Sequence, residues 1–191
     1  MKNLIKSSFL AGLFISIGCI VNLSVGGGIP GAVLFTLGLA SVVSYKLKLY
    51  TGTAGFISRN ELPSLSIILG GNILACALVA LLSPVFSPGL SSSTIVLKVL
   101  SLGYLPCFIN AIFCGILMTL AVKFAREKNW IPLLFAVPVF ILSGFRHSIA
   151  DFTYFTMYGW NLELFGIWIC EVVGNFIGCN LKRLFLSDDS K

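Results

Sequence analysis

The chain has 191 residues, of which 57% are hydrophobic and only 10% charged, and its mean hydropathy is +0.99. Soluble domains carry roughly a quarter charged residues, so this composition excludes them and defines an integral membrane protein. The 13 Lys+Arg against 7 Asp+Glu are scattered between apolar runs and form no basic stripe, which excludes nucleic acid as a partner and leaves the cations as topology signals.

Lys2 and Lys6 precede an apolar run from Phe9 to Val25, which ends at Gly26-Gly27-Gly28 with Pro30 opening the next helix. That run is span one, long enough to cross a hydrocarbon core of ~30 Å, with its basic end inside. No cleavage pattern ahead of a soluble domain marks it as a signal peptide. Span two runs from Pro30 to Tyr45 and is interrupted by Lys46-Leu-Lys-Leu-Tyr-Thr-Gly-Thr53. A short half-helix returns from there to Ser58, before the polar Arg59-Asn60-Glu61 and Pro63.

Span three covers Leu65 to Leu82, and the uncharged loop Ser83 to Ser93 suits the outside. Span four is read as one helix from Val96 to Val122, with Lys98 near its outer end. Lys123, Arg126, Glu127 and Lys128 then form an inside loop. Span five runs from Trp130 to Phe145 and is interrupted by Ser143-Gly-Phe-Arg-His-Ser-Ile-Ala-Asp151. The stretch Phe152 to Trp160 that follows is half a membrane long. Its aromatics Tyr154, Phe155, Tyr158 and Trp160 suggest an interfacial belt. Span six, Leu164 to Leu181, leads to Lys182-Arg183 and a polar tail, so both termini are expected in the cytoplasm.

The expected fold is an all-α membrane protein of six spans, one transmembrane domain over residues 1–191. The pattern Gly71-Asn-Ile-Leu-Ala-Cys76 recurs as Gly174-Asn-Phe-Ile-Gly-Cys179, 103 positions later, and the breaks at Thr51 and His147 are 96 positions apart. Three spans per half make the halves oppositely oriented, a 3+3 inverted repeat (about 7–82 and 94–181) with spans 2 and 5 broken, as in an aquaporin-like protomer. Paired half-helices of this kind aim N–H groups and positive dipole ends at the midplane, which favours an anion there.

The single histidine, His147, stands beside Arg146 and Asp151 in the second break. On residue types alone the trio fits either the membrane surface or a polar site inside it, where each ionisable group needs a partner or water. The six cysteines lie in apolar segments without CxxC spacing, so they read as small packing residues, with no metal site and no disulfide framework. An intramembrane hydrolase built on His147, Asp151 and Ser148 or Thr51 is disfavoured, because Ser148 is adjacent to His147 and points to another face of any helix. A pore for a small neutral solute is the nearer alternative to an anion pathway, and the excess of cations argues against it.

The run Gly144-Phe-Arg-His-Ser-Ile-Ala-Asp151 resembles the Gly-Phe-Glu-His-Ser-hydrophobic-Ala-Asn signature of the formate/nitrite transporters, which include hydrosulfide channels. Lys48-Leu-Tyr-Thr-Gly-Thr53 resembles that family's Glu-Leu-Phe-Thr-Gly-Asn run, and Gly174-Asn175 its last Gly-Asn pair. The resemblance implies a channel or transporter of small monovalent weak-acid anions, proton-linked and without a cofactor, in an inner-membrane homopentamer with one pore per protomer. It implies that His147 is the central pore histidine, Thr51 the threonine facing it, Lys98 a cation drawing anions in and Asn110 a further pore residue. It also implies apolar constrictions at Phe35, Leu39, Tyr50 and Phe140. The chain departs from the family pattern at Lys48 and Arg146, where glutamates are expected, and at Thr53 and Asp151, where asparagines are. Lys48, Arg146 and Asp151 are therefore candidates for selectivity; as structural groups the cations would instead need acids such as Asp151 or Glu171 as partners.

Overall fold

A computed structural model describes residues 1–185; the polar tail from residue 186 onward, and with it the expected location of the C-terminus, lies outside the described residues. The regular structure in that range is helical: α1 (Lys2–Ser24), α2 (Gly28–Ser44), α3 (Tyr50–Ala54), a 3-10 turn (Arg59–Glu61), α4 (Leu62–Phe86), α5 (Ser93–Leu102), α6 (Tyr104–Arg126), α7 (Ile131–Ser143), α8 (Ser148–Tyr158) and α9 (Leu162–Phe185). Within each helix the interior backbone N–H and C=O groups pair inside their own segment, which is what a hydrocarbon solvent demands, and the groups at the ends need other partners.

Among the described residues α1, α4, α6 and α9 are long and apolar enough to cross a membrane, and α7 with α8 passes as a single span bent by 45°. The 17 residues of α2 reach only about 25 Å and the ten of α5 about 15 Å, so by length and composition alone the count is four, or five with the bent pair. Large apolar side chains such as Leu37, Leu81, Val85, Leu105 and Phe135 cover the exterior, where a soluble protein would place charge.

Span four, expected as one helix, is two. Gly103 lies between α5 and α6 with φ +74, a left-handed conformation that a side chain disfavours, and Pro106 sits in the first turn of α6, where its missing N–H leaves no helical bond unmade. Lys98 therefore belongs to a separate short helix. Ser92, capping that helix, donates to the Tyr154 carbonyl at 2.7 Å and ties it to α8.

Two long parallel pairs carry the packing, α1 against α4, with Ser8 beside Asn72 and Gly12 beside Cys76, and α6 against α9, with Ala111 beside Asn175 and Gly115 beside Cys179. At their closest points a methyl group on Gly12 would run into the Asn72 carbonyl, and one on Gly115 into the Asn175 carbonyl. Glycine at these two positions, 103 apart, lets the backbones touch in a solvent that offers no hydrophobic drive for helix association. The aromatic belt needs correction: Tyr154 and Phe155 are buried, the former hydrogen-bonded through its hydroxyl to Asn22 Nδ2 at 3.2 Å, and only Tyr158 and Trp160 are exposed. Cys19, Cys76, Cys107, Cys114 and Cys179 are buried free thiols and Cys170 is half-buried.

Candidate functional site

Both breaks are built the same way around an asparagine. Asn72 of α4 accepts from the Tyr50 N–H at 2.8 Å and donates to the carbonyls of Ser8 and Lys48 at 2.7 and 3.0 Å. Asn175 of α9 accepts from the Ser148 N–H at 2.9 Å and donates to the carbonyls of Ala111 and Arg146 at 2.8 and 2.9 Å. An amide offers two donors and an acceptor at one point, so a single side chain satisfies the backbone groups that an interrupted helix leaves open. Cys179 in turn donates to the Thr51 carbonyl at 3.0 Å and Cys76 to the Ile149 carbonyl at 3.5 Å. The Gly-Asn-x-x-small-Cys pattern is thus a clamp on each break. It also occupies the Tyr50 and Ser148 N–H groups, which were expected to face the midplane unpaired.

The clamps bring the two breaks together. α7 ends on a left-handed Gly144, and the chain runs through Phe145 and Arg146 to His147, which caps α8. His147 Nδ1 accepts from the Ala150 N–H at 3.2 Å, and Nε2 lies 2.9 Å from Thr51 Oγ1 of α3. An accepting Nδ1 leaves the neutral ring's proton on Nε2, so His147 donates to the Thr51 oxygen and the Thr51 O–H is free to donate onward. Both side chains are buried.

Two cavities approach this pair. One, of about 250 Å³, is lined by Phe35, Phe140, Lys98, Arg146, His147 and Tyr154, among others. The other, of about 450 Å³, is lined by Leu39, Leu49 and Val122 and has Lys46, Lys48 and Arg126 around it. Phe35 and Leu39 are neighbours on one face of α2, about 6 Å apart along its axis, so the cavities end within one helical turn of each other. Phe35 and Phe140 meet edge to face at 5.9 Å between centroids, and Phe140 stacks on the His147 ring at 5.7 Å. Phe35, Leu39 and Phe140 thus form an apolar collar between the cavities, and the Thr51–His147 pair adjoins it through the Phe140–His147 stack.

Of the remaining expected site residues, Lys98 is exposed at the rim of the first cavity, its Nζ near Gly144. Tyr50 is buried and donates its hydroxyl to the Val172 carbonyl at 3.1 Å, and Asn110 gives its carbonyl to the Arg146 N–H at 3.3 Å; neither lines either cavity. Leu49 and Val122 escaped the sequence reading, because a leucine or valine among dozens of apolar residues carries no signal. Arg146 and Asp151 are buried and paired in a bidentate fork, with Glu171 Oε1 3.4 Å from Arg146 Nε. Lys48, at the corresponding place in the first break, is exposed.

A helical membrane protein with a basic-rimmed cavity on either side of an apolar collar belongs to the class of channels and transporters. The model of the formate/nitrite transporter family matches residues 1–186, and the chain belongs to that family, whose members are not enzymes. Among solved structures it is similar to a pentameric formate channel with formate bound, at 20% identity and a TM-score of 0.79 over 93% of each chain. It is also similar to an FNT family ion channel, at 21% identity and a TM-score of 0.78 over 96% of this chain and 86% of that one. No curated protein matches.

Proposed function

We propose that the chain is one protomer of a homopentameric channel that passes small monovalent weak-acid anions of the formate, nitrite and hydrosulfide type, linked to protons at His147. The observation that carries this is the arrangement of two cavities with cationic rims, Lys98 on one side and Lys46, Lys48 and Arg126 on the other, meeting at an apolar collar that adjoins one hydroxyl and one imidazole. Family membership and the formate bound in the similar pentameric channel support the substrate class and the assembly.

A bare anion pays heavily to enter the collar, whereas its neutral conjugate acid pays far less. Cations at the rims concentrate the anion, the free Thr51 O–H and the His147 Nε2–H can hydrogen-bond it, and protonation removes its charge for the crossing. Phe35, Phe140, Leu39, Leu49 and Val122 exclude water from that step. The matched clamps of Asn72 and Asn175, and the glycine contacts at Gly12 and Gly115, support a 3+3 inverted repeat in which α2 with α3, and α7 with α8, are the broken spans. The Lys98 cavity is then the outer vestibule, the Lys48 cavity the inner one, and both termini are cytoplasmic in an inner membrane.

Flux of formate, nitrite and hydrosulfide into liposomes tests this. Uptake that accelerates as pH falls, and that changes in rate or pH profile in His147→Asn, is the expected result. Transport indifferent to pH would instead mark a neutral-solute pore, and an unaltered profile in the variant would remove His147 from the mechanism.

A further inference from the structure

A second polar site lies beside the Thr51–His147 pair. Arg146 grips Asp151 through both Nε and Nη2, with Nε 3.0 Å from Asp151 Oδ2, and the same Nε is 3.4 Å from Glu171 Oε1 of α9. Glu171 is 0% exposed and Asp151 2%. One guanidinium faces two carboxyls, so full ionisation would leave a net charge of −1 on a buried cluster, where an uncompensated charge is among the most expensive things a protein can hold.

Hydrogen bonding points the same way. The Asp151 oxygens are occupied by Arg146, whereas neither Glu171 oxygen has a hydrogen-bond partner. Both carboxyls face the same Arg146 Nε, Asp151 Oδ2 at 3.0 Å and Glu171 Oε1 at 3.4 Å. Two carboxylates so placed only repel, since each is an acceptor without a donor. A single proton taken up by the pair removes that repulsion, supplies the missing donor and brings the cluster to neutrality.

The other charged or titratable groups around the cluster do not supply that balance. Cys107 of α6 and the neighbouring Cys170 are thiols, His147 meets Asp151 through its main chain, its carbonyl accepting the Asp151 N–H at 2.9 Å, and Lys98 of α5 is exposed across the cavity. At the corresponding places of the first break stand Lys48, Thr53 and Ile68, so no second carboxyl exists there. The feature is confined to the second break.

We infer that the Arg146–Asp151–Glu171 cluster is a proton-binding site, holding one exchangeable proton shared by the two carboxyls, and that Asp151, which lines the Lys98 cavity, connects it to that cavity. On release the carboxyl O–H bond breaks, its electron pair stays on oxygen, the proton passes to water or to a weak-acid anion in the cavity, and the cluster goes from neutral to −1. Reloading from the cavity reverses the step. That the proton travels with the anion rests on the anion-pathway reading; that the proton is there does not.

Infrared spectroscopy of the lipid-reconstituted protein, exchanged between H2O and D2O at neutral pH, tests the site directly. A deuterium-sensitive C=O stretch of a protonated carboxyl is expected in the wild type and is lost in Glu171→Gln and in Asp151→Asn, each of which leaves Arg146 facing a single carboxylate. Glu61, Glu127 and Glu163 are exposed and unchanged in both variants, so a band that disappears with Glu171 or Asp151 is not theirs. Absence of the band from the wild type would overturn the site whether or not the variants fold, and so would a band that persists in both variants. In liposomes the ratio of proton to anion uptake should fall severalfold in Glu171→Gln. An unchanged ratio would overturn the loading role. An absence of anion flux in the wild type would overturn that role together with the anion-pathway reading, while the carboxyl band would still decide the site.

Discussion

The two breaks share a backbone solution and differ in their chemistry. In each, one asparagine holds the carbonyl before the half-helix and its first N–H. A clamp of that kind depends on main-chain geometry alone, which frees the side chains around it to diverge. Around the first break Lys48 stays in solvent beside a cavity, where hydration stabilises its charge. Around the second, Arg146 is buried and can keep its charge only because Asp151 and Glu171 surround it. Conserving the scaffold and conserving the charge chemistry are thus separate requirements, met by different residues.

Removing the cations gives the sharpest contrast. Arg146→Met strands two buried carboxyls and should cost about 3–5 kcal/mol of stability, while Lys48→Met should stay within ~0.5 kcal/mol, both measured by unfolding in lipid or detergent. Equal costs would break the comparison. The clamps test its other half. Asn72→Ala and Asn175→Ala each orphan a buried N–H and two carbonyls, so each should lose about 2–3 kcal/mol, and the two losses should be alike.

Smaller effects should appear in flux. Thr51→Val leaves the His147 Nε2–H without an acceptor across the junction of the two breaks and should slow uptake by roughly tenfold, with Thr51→Ser restoring most of it. The rims act more weakly still. Lys98→Gln and Lys48→Gln should each lower flux about two- to threefold at low ionic strength, the deficit vanishing near 1 M salt, where the screening length is ~3 Å. A deficit that survives high salt would mean a direct contact rather than long-range attraction.

Much of the plan was legible in the residues because hydrocarbon is an unforgiving solvent. Long apolar runs, their polar interruptions at Lys46–Thr53 and Ser143–Asp151, and the repeated Gly-Asn-x-x-small-Cys pattern are all one-dimensional signals. The break at Gly103 was not recognised, since an apolar run on both sides outweighed a glycine and a nearby proline. Tyr154 and Phe155 were misassigned to the interface because aromatic composition does not say which face of α8 packs inward. Leu49 and Val122 could not be distinguished from other apolar residues, and Tyr50, expected in the collar, turns instead to Val172.

The sequence by itself determined the solvent in which the chain folds, the order of its long apolar segments, two of the places where they break and the membership of His147 and Thr51 in those two breaks. Local composition and spacing suffice for that, because each follows from a segment's own length and polarity. Only the tertiary structure decided that Thr51 and His147 touch across 96 positions, and that Arg146 meets Asp151 and Glu171. Whether a buried charge is a liability or a partner depends on what other segments bring within a few ångströms, and that is a property of packing.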